Sequence, residues 1–517
     1  MSFLLQSTRV GALLVAGFLF AGLHPAAPQV GPLQGLDAYV EKALRDWKVP
    51  GVGVAVVKDG RIVHARGYGV REVGRPDRVD EHTIFAVGST TKAFTSAALA
   101  ILVDEEKVGW DHRATELLPG FQLHDPYVTR ELTVRDLLTH RSGLPRGDQL
   151  WYSNGYDAAE VLRRVRFLEP AWGFRAQYGY QNIMYLAAGE VVYQVSGVSW
   201  GDFVQQRIFE PLGMSRSYTS VAPLPHVDNV AVPHVWVEGE PTPVPWKDLD
   251  NVGPAGSINS SVRDMAVWLQ MHLARGEHEG SRMLSEDRIQ EMQTPQTVIR
   301  LSQDQRELFP EVNFAAYGLA WSLRDYRGRK LVGHGGAIDG MRAEVMLVPE
   351  EGLGVVVLSN IGGAAFPQAI IYNVVDVYLG PRDKDWSALL LERQRKSQEE
   401  AHEARARREA ERVEGTRPSL PLERYAGSYA DSLYGEVRVE LEGGKLTLRY
   451  GADYHGELVH WHFETFQAVW RRTGYGPTLA TFQLDGRGNP TRLEVEGLAT
   501  FGKRPDPVRE DGPGEGR

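Results

Sequence analysis

The sequence predicts an α+β protein: an antiparallel sheet flanked by helices, with a helical subdomain, followed by a small C-terminal all-β barrel-like domain. Three observations carry this expectation. Strand-like segments with hairpin turns lie at both ends of the longer N-terminal part, helical periodicities fill the stretch between them, and strictly alternating hairpins return after a charged segment. A chain of 517 residues also exceeds the usual size of one core.

The elements follow in chain order. Arg9 precedes an apolar run from Val10 to Leu23, and His24-Pro25-Ala26-Ala27-Pro28 comes next. That run is short for a membrane span and fits a secretory signal peptide over residues 1–28. The expected location is therefore periplasmic or secreted, with no membrane contact after cleavage. An uncleaved anchor is the competing reading, because the small residues before the cut make a poor Ala-x-Ala site.

A large α+β domain is expected over residues 33–382. Its first hairpin runs through Gly51-Val52-Gly53-Val54-Ala55-Val56-Val57 and Arg61-Ile62-Val63, joined at Asp59-Gly60, a type I′ turn signal. Helical patterns follow at Val134–Leu138, Asp157–Val165, Ile183–Val195 and Val262–Leu273. Strands return at Lys330–Val332, Met341–Leu347 and Gly354–Leu358, the last two separated by the turn Pro349-Glu350-Glu351-Gly352.

Residues 383–421 form a linker, in which Glu392 to Glu414 is rich in Glu, Arg, Lys, Gln and Ala and reads as a solvated helix. An all-β domain is expected over 422–504, with one hairpin from Glu436 to Tyr450 around Gly443-Gly444 and another from Thr481 to Val495, and 505–517 is a tail. His460-Trp461-His462 puts two imidazoles on one strand face, but without further ligands the pair makes no metal site, and no cofactor is expected.

Composition narrows the function. The chain carries 57 basic and 67 acidic residues, net −10, without a long basic patch, so nucleic acid is not an expected partner. Cysteine is absent, which excludes disulfides, thiolate zinc sites and a cysteine nucleophile. A small-molecule or peptide substrate remains, and self-association into a homo-oligomer stays open.

Ser89-Thr90-Thr91-Lys92 offers a nucleophile and an amine one helical turn apart, at the start of an Ala/Leu-rich helix whose free N–H groups favour developing negative charge. The bland reading is a capping serine and a surface lysine. Partners for a catalytic serine should lie elsewhere in the chain. Two Tyr-x-Asn triplets occur, Tyr152-Ser153-Asn154 in a polar loop and Tyr180-Gln181-Asn182 opening an apolar helix, and the second has the firmer support. Gly333-His334-Gly335-Gly336-Ala337 ends a strand, its glycines allowing close approach of another backbone. Trp151 and Tyr152 are candidates for the wall of a substrate pocket. His140 and Ser142 could form a different dyad, although Arg141-Ser142-Gly143-Leu144-Pro145 reads as turn geometry.

With Ser89-Thr90-Thr91-Lys92, Tyr180-Gln181-Asn182 and His334-Gly335-Gly336 in this order, and with the supporting segments Thr133–Pro145 and Pro254–Ile258, the chain resembles the penicillin-recognising serine hydrolases. That group includes class C β-lactamases, DD-peptidases, D-aminopeptidases and family VIII carboxylesterases, and the resemblance covers Leu36 to Leu379. It implies the β-lactamase/transpeptidase-like fold. It also implies that Ser89 is acylated, that Lys92 and Tyr180 share its proton, that Asn182 binds the substrate or Lys92, and that the N–H groups of Ser89 and Ala337 hold the oxyanion. Gly335 and Gly336 would border the substrate. The C-terminal part resembles the lipocalin-like domain appended to some peptidase-like members.

Whether Lys92 or Tyr180 holds the proton stays open, since both are protonated at pH 7 unless their surroundings intervene. The family's frequent Lys-Thr-Gly is replaced by His334-Gly335-Gly336, and Arg472-Thr473-Gly474, the only similar triplet, lies in the other domain. A permanent cation is thereby exchanged for a group of pKa about 6.5. An acidic limb from His334 is expected in the pH profile, and a peptidase or carboxylesterase is favoured. A β-lactamase, or a catalytically silent peptide-binding or peptidoglycan-binding relative, is the alternative.

Overall fold

Asp59 and Gly60 both adopt positive φ, 49° and 75°, as a type I′ turn requires, and join the strands Gly51–Lys58 and Arg61–Gly69. This hairpin is one edge of an eight-stranded antiparallel sheet in the computed structural model, which describes residues 31–152, 154–381 and 383–505. The proposed leader and the end of the tail lie outside those residues. Across the sheet the order is Arg61–Gly69, Gly51–Lys58, Leu353–Ser359, Met341–Val348, Arg329–Ile338, Ser322–Tyr326, Ala315–Tyr317 and Thr297–Ile299. The first strand pairs with a late one, Val54 facing Val357. N-terminal and C-terminal segments therefore close one sheet.

Both faces are covered. Val52, Val54, Val56, Val355 and Val357 pack into a core with the helices Leu36–Asp46 and Phe366–Leu379. On the opposite face, the central helix Thr91–Asp104 is buried at every position from Thr91 to Leu102, as expected of a helix apolar on all sides. It packs with Asn182–Ser196 and Val262–Leu273. A Cβ on Gly53 would lie 2.9 Å from Val262 Cγ1, so glycine there sets how closely that last helix sits on the sheet.

Three expectations change. The strand that begins before Leu331 does not end at the glycines: it spans Arg329–Ile338, and His334, Gly335 and Gly336 face Val345, Glu344 and Ala343 across an unbroken ladder. Tyr152 belongs to a short helix, Gln149–Tyr152, rather than a polar loop. The charged helix begins at Trp386 and runs to Ala410, with Trp386, Ser387 and Leu390 buried against the sheet domain before its exposed part.

Beyond it, eight strands from Gly427–Asp431 to Ala499–Lys503 close into a barrel. Its interior is filled by Tyr425, Tyr429, Phe466, Phe482 and Phe501, so it is a packed core and not a large ligand chamber. Gln149 reaches the barrel mouth, where Tyr450 Oη donates to its carbonyl oxygen at 3.0 Å. Asn154 Nδ2 donates to the carbonyl of Tyr434 at 2.6 Å and to Tyr450 Oη at 3.0 Å. His460 and His462 are engaged with the backbone of Phe463 and Val413.

Candidate active site

Ser89 stands in a 3-10 turn, Gly88–Thr90, that runs directly into the helix Thr91–Asp104. Gly88 has φ +53°, and a Cβ on it would lie 2.7 Å from the Ala337 nitrogen. A Cβ on Gly336 would collide with the Val87 carbonyl and lie 3.2 Å from the Ser89 nitrogen. Glycine at both positions is what lets the strand Arg329–Ile338 slide against the serine turn. The backbone N–H groups of Ser89 and Ala337 border that junction.

One turn on, Lys92 is wholly buried, with Nζ 3.1 Å from Ser89 Oγ and donating to the Ala255 carbonyl at 2.8 Å. Burial holds its pKa well below the ordinary lysine value; Asp148 counteracts this and Arg146 adds to it. Tyr180 packs beside it, the amine 4.9 Å from the ring centroid. Burial raises the Tyr180 pKa, against the Ser89 hydroxyl and Arg146, which favour the phenolate. The two shifts together favour a neutral amine beside a neutral phenol. Lys92 Nζ thus touches both the Ala255 carbonyl and the Ser89 hydroxyl.

The helix carrying Asn182 is capped by Gln181, whose side chain accepts from the Ile183 N–H at 2.9 Å and donates to the Pro145 carbonyl at 2.6 Å. Asn182 Nδ2 donates to Asp148 Oδ1 at 3.0 Å, not to Lys92. Asp148 also accepts from Trp151 Nε1 at 3.1 Å and Arg146 Nε at 2.5 Å. Arg146 in turn lies over the Tyr180 ring, 4.9 Å from its centroid.

These residues open onto a cavity of about 600 Å³ lined by Ser89, Asn182, Ala337, Trp151 and Tyr152. His334, Gly335 and Gly336 do not line it. His334 is buried, 6% exposed, with Nε2 2.9 Å from Tyr317 Oη and Nδ1 2.6 Å from the Gly335 carbonyl. Nδ1 must therefore carry the proton while Nε2 accepts from the tyrosine. Burial, with Lys92 nearby, pushes its pKa down to about 3. The expected acidic limb near pH 6.5 is thereby corrected: this imidazole is neutral throughout the neutral range. The His140–Ser142 dyad is likewise absent, since His140 Nδ1 accepts from the Gln181 N–H at 3.0 Å and Ser142 Oγ from Leu144 at 3.4 Å.

Several lining residues escape sequence reasoning. Arg146 follows Pro145 directly and Asp148 comes two residues later, but neither matches a motif. Asp339 lies just past Ala337. Arg472, Thr473, Gly474 and Tyr475, set aside as belonging to the other domain, reach from the barrel into the same cavity as Ser89. Among the described residues, no cluster of three or more His, Cys, Asp or Glu is arranged to hold a metal ion, and no helix is long and apolar enough to cross a membrane.

The chain's similarities agree with this geometry. The Beta-lactamase family model matches residues 36–378, and a domain of unknown function (DUF3471) matches 411–508. An unguisins hydrolase of Aspergillus violaceofuscus is 32% identical over 462 residues, covering 80% of this chain and 78% of its own length. Penicillin-binding protein 4 of Amycolatopsis lactamdurans is 30% identical over 332 residues, 61% of this chain and 82% of its own. In fold, the octameric penicillin-binding protein homologue from Pyrococcus abyssi superposes with a TM-score of 0.62 at 23% identity, covering 91% of this chain and 99% of that one.

Proposed function

The chain belongs to the Beta-lactamase family, and from that premise we propose that it is an exported serine hydrolase that cleaves an amide or ester through an acyl-enzyme on Ser89. The observation that carries this reading is the buried Lys92 amine 3.1 Å from Ser89 Oγ at the edge of a cavity. Export rests on the leader alone.

In the proposed reaction the neutral Lys92 amine takes the Ser89 proton as Oγ adds to the substrate carbonyl. The oxyanion is met by the N–H groups of Ser89 and Ala337, each such donor contributing about 2.7–4 kcal/mol in comparable sites. Tyr180 relays the proton to the departing amine or alkoxide, the C–N or C–O bond breaks, and the acyl group stays on Ser89. Water then adds to the ester carbonyl and gives a proton to the same pair, which returns it to Ser89 Oγ as the acyl C–O bond breaks, leaving a carboxylic acid and the free serine.

Amides and esters of peptide-like acids suit the site better than β-lactams. The strand beside Ser89 presents His334, which is neutral and turned to Tyr317, where many relatives place a cation for a carboxylate. The relative named an unguisins hydrolase supports a hydrolytic reaction. The expected ranking on aminoacyl anilides, p-nitrophenyl esters and nitrocefin places nitrocefin last in kcat/KM. Turnover of nitrocefin above both others contradicts this ranking, and no turnover of any substrate favours a silent binding protein.

Arg146 provides a pH test. Its positive charge lowers the Lys92 pKa and Asp148 raises it. Removing it leaves Asp148 without that partner, so both changes let Lys92 keep its proton to higher pH. Arg146→Met is expected to move the acid limb of the kcat/KM profile upward in pH, with Arg146→Lys close to the parent. An unshifted limb in Arg146→Met would remove Arg146 from the electrostatics of the pair.

A further inference from the structure

We propose that the barrel segment Arg472–Tyr475 is a wall of the substrate site and makes it selective for an apolar or aromatic side chain next to the scissile bond. The inference rests on the acyl-transfer reading and names the substrate class of that same cavity.

The segment is tied in place by ion pairs from both domains. Arg472 Nη2 donates to Asp339 Oδ2 at 3.0 Å, and its Nη1 pairs with Asp453, which also holds Lys247. Tyr152 Oη donates to the other oxygen of Asp339, and Tyr475 Oη donates to Tyr152 Oη at 3.3 Å. The side chains of Arg472, Asp339, Asp453 and Lys247 are 24%, 16%, 13% and 10% exposed, so solvent and salt screen these pairs far less than surface ones. Gly474 has φ +86°, and a Cβ there would lie 3.0 Å from Val235 Cγ2. The barrel loop thus descends onto the sheet domain at a position only glycine fits well.

Selectivity follows from what this tie leaves over. Both Nη groups of Arg472 are engaged with carboxylates and both Asp339 oxygens are taken, so this pair keeps no spare charge for a substrate ion. Apart from this tie and the Arg146–Asp148 pair, the lining is mostly apolar, with Val235, Trp236, Val244, Leu249 and Tyr475 among its side chains. A charged substrate side chain would lose its water there without gaining a partner, whereas a leucine or phenylalanine would bury apolar area.

The test uses full-length protein and aminoacyl p-nitroanilides with Phe, Leu, Lys or Glu side chains, alongside fluorophosphonate labelling of Ser89. The parent is expected to prefer Phe and Leu over Lys and Glu by at least about tenfold in kcat/KM. Tyr475→Ala is expected to lower the Phe-to-Lys ratio by about tenfold, chiefly through KM. Arg472→Gln frees Asp339 and should raise relative activity on the Lys substrate. If Ser89 is labelled but neither variant changes these ratios, this inference is overturned and the acyl-transfer reading stands. If Ser89 is not labelled in the parent, both fall.

Discussion

Ser89→Ala is expected to lower kcat by about 10⁴–10⁶-fold, since removing the nucleophile of a serine hydrolase leaves only the residual effects of binding and the oxyanion site. Lys92→Met should fall by about 10²–10⁴-fold, the usual contribution of a general base. Methionine is the informative replacement because Lys92 is fully buried, and a linear apolar side chain fills its place without carrying a charge. Circular dichroism should match the parent for both variants. Retained turnover in Ser89→Ala would remove the serine from the reaction, and retained turnover in Lys92→Met would shift the base to Tyr180.

The second large effect is structural. Asp136 is fully buried, and its carboxylate accepts from Arg141 Nε at 2.6 Å, Arg175 Nη2 at 2.6 Å, and the Thr133 N–H and hydroxyl at 2.9 and 2.8 Å. Asp136 lies on the helix Val134–Leu138, and its pair with Arg141 anchors the start of the segment that leads on to Arg146 and Asp148. Asp136→Ala leaves two arginines without their common partner and is expected to cost about 3–5 kcal/mol in unfolding free energy. Burial pushes the Asp136 pKa up, but Arg175, the Thr133 N–H and Arg141 together outweigh it and hold it below its ordinary 3.8. Because the folded pKa is depressed, the stabilisation is complete above the unfolded value and is lost as pH falls through the folded one. Denaturant melts at pH 7 and pH 3 should show the gap between parent and Asp136→Ala narrowing at pH 3. A gap that is absent at pH 7 contradicts the role assigned to Asp136.

How much was legible in the sequence depended on the range of the interaction. The Asp59-Gly60 hairpin was legible because two positive-φ positions are a local demand. Helices Val262–Leu273 and Asn182–Ser196 were legible because their apolar spacing is local too. Strand Arg329–Ile338 was read too short, since Gly335-Gly336 looks like a stop until the Val87 backbone beside Gly336 is known. The short strands Thr297–Ile299 and Ala315–Tyr317 carry too few residues to show a period.

The same division holds at the site. Ser89, Lys92, Tyr180 and Asn182 were found from motifs, and the structure brings them together. His334 was found as well, yet its environment, set by Tyr317 and burial, could not be read from its neighbours in sequence. Arg472-Thr473-Gly474 resembles the third motif but lies in the other domain, and its place at the cavity depends on Asp339, 133 positions away in sequence. Docking between domains leaves no periodic trace.

Intact-mass analysis with peptide mapping after fluorophosphonate treatment tests the central claim most directly. The account predicts a single adduct on Ser89 in the parent, none in Ser89→Ala, and slow labelling in Lys92→Met; an unlabelled parent, or an adduct that persists in Ser89→Ala, would contradict it.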